Sequence, residues 1–234
     1  MSLRNPQLAT RPEAVLSSRV TRTAGLLLAL ASISLASYSA IASAAATCDP
    51  ARGKVLFNKV CVTCHGPKAE GNKALASPSL WQQEPWYLIA QVQKFKSGAR
   101  GSHPKDTGGA QMKPMVAQLP DEAAIADVVA YIKTLKGTAA VATLKGDAVA
   151  GKATYAKVCA ACHGPAAKGM LALKAPALAG QPDWYMLGQL QKFRAGIRGS
   201  DPRDVTGAQM KGMASSLPND QTVTNVVTYI ASIK

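Results

Sequence analysis

Cys61-Val62-Thr63-Cys64-His65 and Cys159-Ala160-Ala161-Cys162-His163 are two copies of one pattern, 98 residues apart in a chain of 234. C-x-x-C-H is the attachment signature of c-type haem. The two thiols can form thioethers with the porphyrin vinyl groups, and the adjacent imidazole can bind the iron from one side. On a helical turn, positions i, i+3 and i+4 share a face, so both sulfurs and the ring can meet one flat macrocycle. The chain therefore reads as a carrier of two covalently bound haem c groups. Cys61, Cys64, Cys159 and Cys162 are the attachment points, and His65 and His163 the iron ligands.

Outward from the motifs, the chain matches itself at the same offset without a gap. Gly53-Lys54 returns as Gly151-Lys152, Gly66-Pro67 as Gly164-Pro165, and Trp86-Tyr87 as Trp184-Tyr185. Arg100-Gly101-Ser102 returns as Arg198-Gly199-Ser200, and Gly109-Ala110-Gln111-Met112-Lys113 as Gly207-Ala208-Gln209-Met210-Lys211. Two tandem copies are too few for a solenoid, so the repeat predicts two domains. Their expected extents are 47–136 and 147–234, joined by an Ala/Thr/Gly/Lys linker over 137–146.

Each copy reads as mostly helical. Val128, Val129, Ile132 and Leu135 form an apolar face at helical spacing after Pro120-Asp121-Glu122, repeated by Val226, Val227 and Ile230. Trp86 to Lys96 and Trp184 to Arg194 are further helices, closed by Gly98 and Gly196. The segments between these and the last helices, rich in Gly and Pro, read as loop. No strand alternation stands out, so the fold class is all-α. Aromatic residues make up only 5% of the chain. A buried porphyrin would supply much of the apolar surface that each core lacks.

The first 46 residues read as a signal peptide. Arg4, Arg11, Arg19 and Arg22 face a single acid, Glu13; an apolar run over 24–36 and a small-residue stretch ending Ala44-Ala45-Ala46 follow. The run is short for a membrane span, which needs roughly 20 apolar residues. Cleavage near Ala46 and export to the periplasm are expected. Removing this segment leaves 23 basic and 12 acidic residues, a formal charge of +11. That surplus favours redox protein partners with acidic docking patches, through attraction that salt screens. Nucleic acid is not expected, because the charges are scattered among Gly and Pro rather than gathered on one aromatic-studded stretch.

A haem iron held on one side needs a second axial ligand or stays open. His103 is the remaining histidine, and its repeat partner is Asp201, so it cannot serve both haems. Thioether sulfur is the other usual ligand and raises the potential of the couple. Met112 and Met115 in the first copy match Met210 and Met213 in the second. Methionine more often fills gaps in cores, and spacing alone does not choose within either pair.

Taken together, the chain resembles the class I cytochromes c, and its tandem arrangement resembles the dihaem cytochrome c4 family. The likeness rests on both C-x-x-C-H motifs, Pro78 and Pro176, the Tyr-led helices at Tyr87 and Tyr185, and the Met-x-x-Met segments before Leu119 and Leu217. The resemblance implies that Met112 and Met210 are the ligands, with Met115 and Met213 as packing. It implies that the carbonyls of Pro78 and Pro176 accept from the haem histidines. It also implies that Tyr87, Tyr185, Arg100 and Arg198 lie near the propionates, and that Gly53 and Gly151 let the first helix cross the last near Tyr131 and Tyr229. Two features depart from the pattern: Trp81-Gln82-Gln83-Glu84 stands where the second copy has Ala179-Gly180-Gln181, and the charge is strongly positive.

Four readings compete. The first is a periplasmic electron carrier between a respiratory donor and a terminal oxidase or reductase, working with membrane-bound respiratory complexes and no small-molecule substrate. The second is the cytochrome subunit of a periplasmic dehydrogenase complex. A haem enzyme would need an open iron, while both repeats keep matched methionines. A zinc or thiol-redox site built on the two C-x-x-C pairs is disfavoured by the histidine after each and by their separation. Cys48 has no repeat partner and reads as a free thiol or an intermolecular disulfide.

Overall fold

The structure, a computed structural model, describes residues 48–233. The expected signal peptide, 1–46, lies outside the described residues. Ten α-helices account for most of this part, five per repeat, and the strand-like pairing among the described residues is limited to two isolated bridges, Asn72 with Ser77 and Met170 with Ala175. No helix among the described residues is long and apolar enough to cross a membrane.

In the first repeat the helices are α1 (Pro50–Val60), α2 (Val62–His65), α3 (Pro85–Lys96), α4 (Thr107–Ala117) and α5 (Glu122–Thr134). In the second they are α6 (Ala148–Thr154), α7 (Ala160–His163), α8 (Asp183–Arg194), α9 (Val205–Ser215) and α10 (Asp220–Ser232). A π-helical turn, Tyr155–Cys159, continues α6 into the haem motif. The starts follow sequence chemistry. Asp49, Asp121, Asp147 and Asn219 cap their helices by accepting from backbone N–H groups two or three residues on, and Pro85 opens α3 where a missing N–H costs nothing.

The core of each repeat forms where the first helix crosses the last. Phe57, Leu88, Ile125, Val128, Val129 and Ile132 fill the first; Tyr155, Met186, Val223, Val226, Val227 and Ile230 fill the second. Burying one such side chain contributes about 1.5–3 kcal/mol. The crossing depends on glycine. A Cβ on Gly53 would stand 1.9 Å from the Asp127 carbonyl oxygen, and one on Gly151 2.0 Å from that of Asn225. Beside each crossing an aromatic pair closes the contact, Phe57 on Tyr131 and Tyr155 on Tyr229, both with ring centroids 5.4 Å apart. The implied crossing near these tyrosines is what the structure shows. Asp127 adds a tie in the first repeat, accepting from the Asp49 N–H and from Arg52, and Asn225 accepts from the Asp147 N–H at 2.9 Å in the second.

The Gly- and Pro-rich segments around the methionines, expected as loop, are helices α4 and α9. Two effects override local propensity. Asp106 and Asp204 cap these helices, their carboxylates accepting from the N–H of Gly109 and Gly207 at 3.1 and 2.8 Å. The glycines themselves are required by packing: a Cβ on Gly101 or Gly199 would fall 2.4 or 2.2 Å from the carbonyl oxygen of Gly109 or Gly207.

Candidate functional site

α2 and α7 are single turns, each placing its two cysteines and its histidine on one side and ending at a glycine with positive φ, Gly66 (81°) and Gly164 (76°). The chain then folds back, so that the N–H of Gly71 donates to the His65 carbonyl and that of Gly169 to the His163 carbonyl. This return brings Pro78 and Pro176 against the imidazoles. His65 Nδ1 lies 2.9 Å from the Pro78 oxygen and His163 Nδ1 2.8 Å from that of Pro176. Because a carbonyl only accepts, each Nδ1 carries the proton, and Nε2 is left with its lone pair. Burial pushes both imidazole pKa values down, against the pull of these hydrogen bonds, so the rings are neutral. His65 Nε2 is buried and unpartnered. Such an atom costs about 1–3 kcal/mol unless something binds it, and a haem iron fits that need.

Burial, helped by Cys64, pushes the Cys61 thiol up to about 12, and burial with Cys162 takes Cys159 to about 11. Among the described residues no three His, Cys, Asp or Glu side chains converge to hold a metal ion. Removing one pair, Cys159→Ser with Cys162→Ser, is expected to lower the intact mass of the purified protein by one haem while the other stays attached; mass spectrometry under denaturing conditions reads this directly.

Met112 and Met210 lie in the second turns of α4 and α9; both are half-buried, as is Met115, and Met213 is 42% exposed. His103 lies in the turn before α4, where its Nδ1 accepts from the Lys105 N–H.

The implied propionate contacts are buried in a seam between the two repeats. Arg100 donates to Gln91 at 2.7 Å and, across the seam, to the Tyr185 hydroxyl and Gln189, each at 3.1 Å. Arg198 mirrors it, donating to Gln189 at 2.8 Å, Gln91 at 3.0 Å and the Tyr87 hydroxyl at 3.3 Å. Each guanidinium also stacks over its own repeat's phenylalanine, Phe95 or Phe193, at 4.5 Å. Both arginines are 8% exposed, neither donates to a carboxylate, and both Nε atoms are buried without a partner. Burial opposes ionisation of the Tyr185 hydroxyl, yet the two arginine charges pull its pKa below the ordinary tyrosine value. Two buried cations held by neutral partners are an environment that suits anionic groups such as haem propionates.

Sequence reasoning missed Gln91, Gln189, Lys94 and Lys192, which join the repeats. Lys94 donates to Asp204 at 2.5 Å and Lys192 to Asp106 at 2.6 Å, while Gln83 and Gln181 donate across the seam to the Ala177 and Ser79 carbonyls. The available signal was their recurrence at the 98-residue offset on otherwise amphipathic helices. The departing segment Trp81-Gln82-Gln83-Glu84 also lies here: Gln82 packs where a Cβ on Gly180 would be, and Glu84 accepts from the Ala177 N–H.

Comparison with known proteins agrees with the tandem fold. The cytochrome c family model matches residues 50–136 and again 148–234. The chain is 31% identical to cytochrome c4 of Thiocapsa roseopersicina over 79% of its length and 93% of that protein. It is 33% identical to the thiosulfate dehydrogenase electron acceptor of Stutzerimonas stutzeri, over 74% and 78% of the two chains. The crystal structure of reduced cytochrome c4 from Pseudomonas stutzeri superposes with a TM-score of 0.61 at 26% identity, covering 80% of this chain and 99% of the other.

Proposed function

Because this chain belongs to the cytochrome c family, with two tandem domains as in cytochrome c4 and two covalent haem c groups, we propose that it is a periplasmic electron carrier between a respiratory donor and a terminal oxidase or reductase. The observation that carries this reading is the matched histidine geometry: in both repeats a neutral imidazole is anchored on a proline carbonyl, and a methionine on a capped helix, Met112 on α4 or Met210 on α9, is its candidate partner on the iron. A haem iron closed by imidazole and thioether supplies a one-electron couple with no position for a substrate. The seam joins the two repeats directly, so that one domain can accept as the other donates. The Arg-rich leader and the apolar run that follows it support export.

The formal charge of +11 left after residue 46 supports docking on acidic patches of partner proteins. Electron transfer with an acidic partner is expected to slow about tenfold or more between low salt and roughly 0.5 M, because steering fades as the Debye length shrinks. Stopped-flow rates that do not change with salt would remove the role given to the basic surface. A second reading, the cytochrome subunit of a dehydrogenase complex, is favoured by the similarity to a thiosulfate dehydrogenase electron acceptor. Stable co-purification with a dehydrogenase would select it over the free carrier.

A further inference from the structure

The helices bearing the two methionines are held at their starts by the opposite domain. Lys94 on α3 reaches across the seam to Asp204, the cap of α9, and also donates to the Thr206 hydroxyl at 2.6 Å. Lys192 on α8 does the same for Asp106, the cap of α4. The carboxylates are almost fully buried, 1% and 4% exposed, and the lysines are only 19% and 25% exposed. On its own-domain side each cap is already fixed. The carboxylate occupies the space that the missing side chain of the first-turn glycine leaves, 2.1–2.2 Å from where a Cβ on Gly207 or Gly109 would stand, and the Gly101 or Gly199 backbone abuts the same turn. What remains adjustable is the outer side of the carboxylate, and that side belongs to the other domain's lysine.

We propose that Lys94 and Lys192 are crossed positioning residues: each sets the axial-methionine geometry of the haem in the domain that it does not belong to. The inference rests on the reading of Met210 and Met112 as ligands. A buried carboxylate that loses its lysine turns toward water, weakens its cap on the helix N–H groups, and frees the first turn of the helix that presents the sulfur. The two locks are unequal. Thr206 gives Lys94 a second acceptor, whereas the matching position in the first repeat is Gly108, which has no side chain to offer. The haem of the second domain is therefore the more dependent on its neighbour. Docking and iron ligation are coupled in this arrangement, and anything that loosens the seam alters both haems through their ligands.

The test is the rate at which added imidazole displaces the methionine in the oxidised full-length holoprotein, followed with the methyl proton resonances of the axial methionines. Met112→Leu and Met210→Leu assign the signals of each haem first. Lys94→Gln should speed displacement at the second-domain haem about fivefold, the factor that losing an N-cap of ordinary strength gives, and leave the first-domain haem within twofold. Lys192→Gln should act on the first-domain haem, more weakly. Lys94→Arg, which keeps the charge and the donors, should restore most of the wild-type rate, and Thr206→Val should give a smaller effect on the same haem as Lys94→Gln. A change confined to the haem of the lysine's own domain, an equal change in both, or no change in either would overturn the inference. Unchanged signals in both methionine variants would instead overturn the ligand reading beneath it.

Discussion

Replacing Met210 with leucine is expected to remove the sulfur-to-iron band of one haem and leave the other intact, and Met112→Leu is expected to do the converse. Leucine matches the bulk but offers no lone pair, so the iron opposite His163 or His65 loses its second axial ligand. The potential of the altered haem should fall by about 0.1 V or more, a fraction of the roughly 0.8 V that axial ligands span. Met115→Leu and Met213→Leu serve as controls and should leave both bands in place. Met213 is 42% exposed, so a conservative change there is expected to cost little stability as well. Spectroelectrochemistry of the four variants reads all of these outcomes. Loss of a band in a control variant would move the ligand by one helical turn.

The second large effect is on the fold. Gly53→Ala and Gly151→Ala each place a methyl group about 2 Å from a backbone carbonyl oxygen of the last helix. No rotamer relieves such a contact, because both atoms are fixed by helices. The helices must separate, and the aromatic pairs Phe57–Tyr131 and Tyr155–Tyr229 beside the crossing lose contact. Overpacking typically costs about 1–3 kcal/mol, and a clash with backbone belongs at the upper end. For a domain of this size each kcal/mol corresponds to about 4–8 °C. Thermal unfolding of the holoprotein should therefore show a drop of roughly 10 °C or more in the altered domain. A melting temperature within about 2 °C of wild type would mean that the crossing tolerates a side chain.

Much of this was legible in the sequence because the controlling features are local. The haem motifs sit on single turns, and the apolar spacing of Val128, Val129 and Ile132 finds its helix in α5 with an aspartate cap two residues before Ala123. The imidazole-to-proline contact, between residues 13 apart, was an implication of the family resemblance rather than of the spacing. The methionine helices were not legible, because Gly108-Gly109, Gly207 and Pro114 read as breakers. Gly109 and Gly207 are instead sites of close approach, a property of packing rather than propensity. Nor was the seam legible. Repetition shows that Arg100 equals Arg198 and Gln91 equals Gln189, but which copy meets which is set by long-range docking. The Trp81-Gln82-Gln83-Glu84 segment, which departs from the second copy's Ala179-Gly180-Gln181, is also a difference between the two sides of that seam.

Optical spectra of the purified protein, oxidised and reduced, with and without carbon monoxide, test whether histidine and methionine close both irons. Two low-spin haems, a far-red sulfur-to-iron band in the oxidised protein, and no response to the gas are expected. A high-spin fraction, or carbon monoxide binding at either haem, would contradict that closure, show an accessible iron and put a haem enzyme ahead of a carrier.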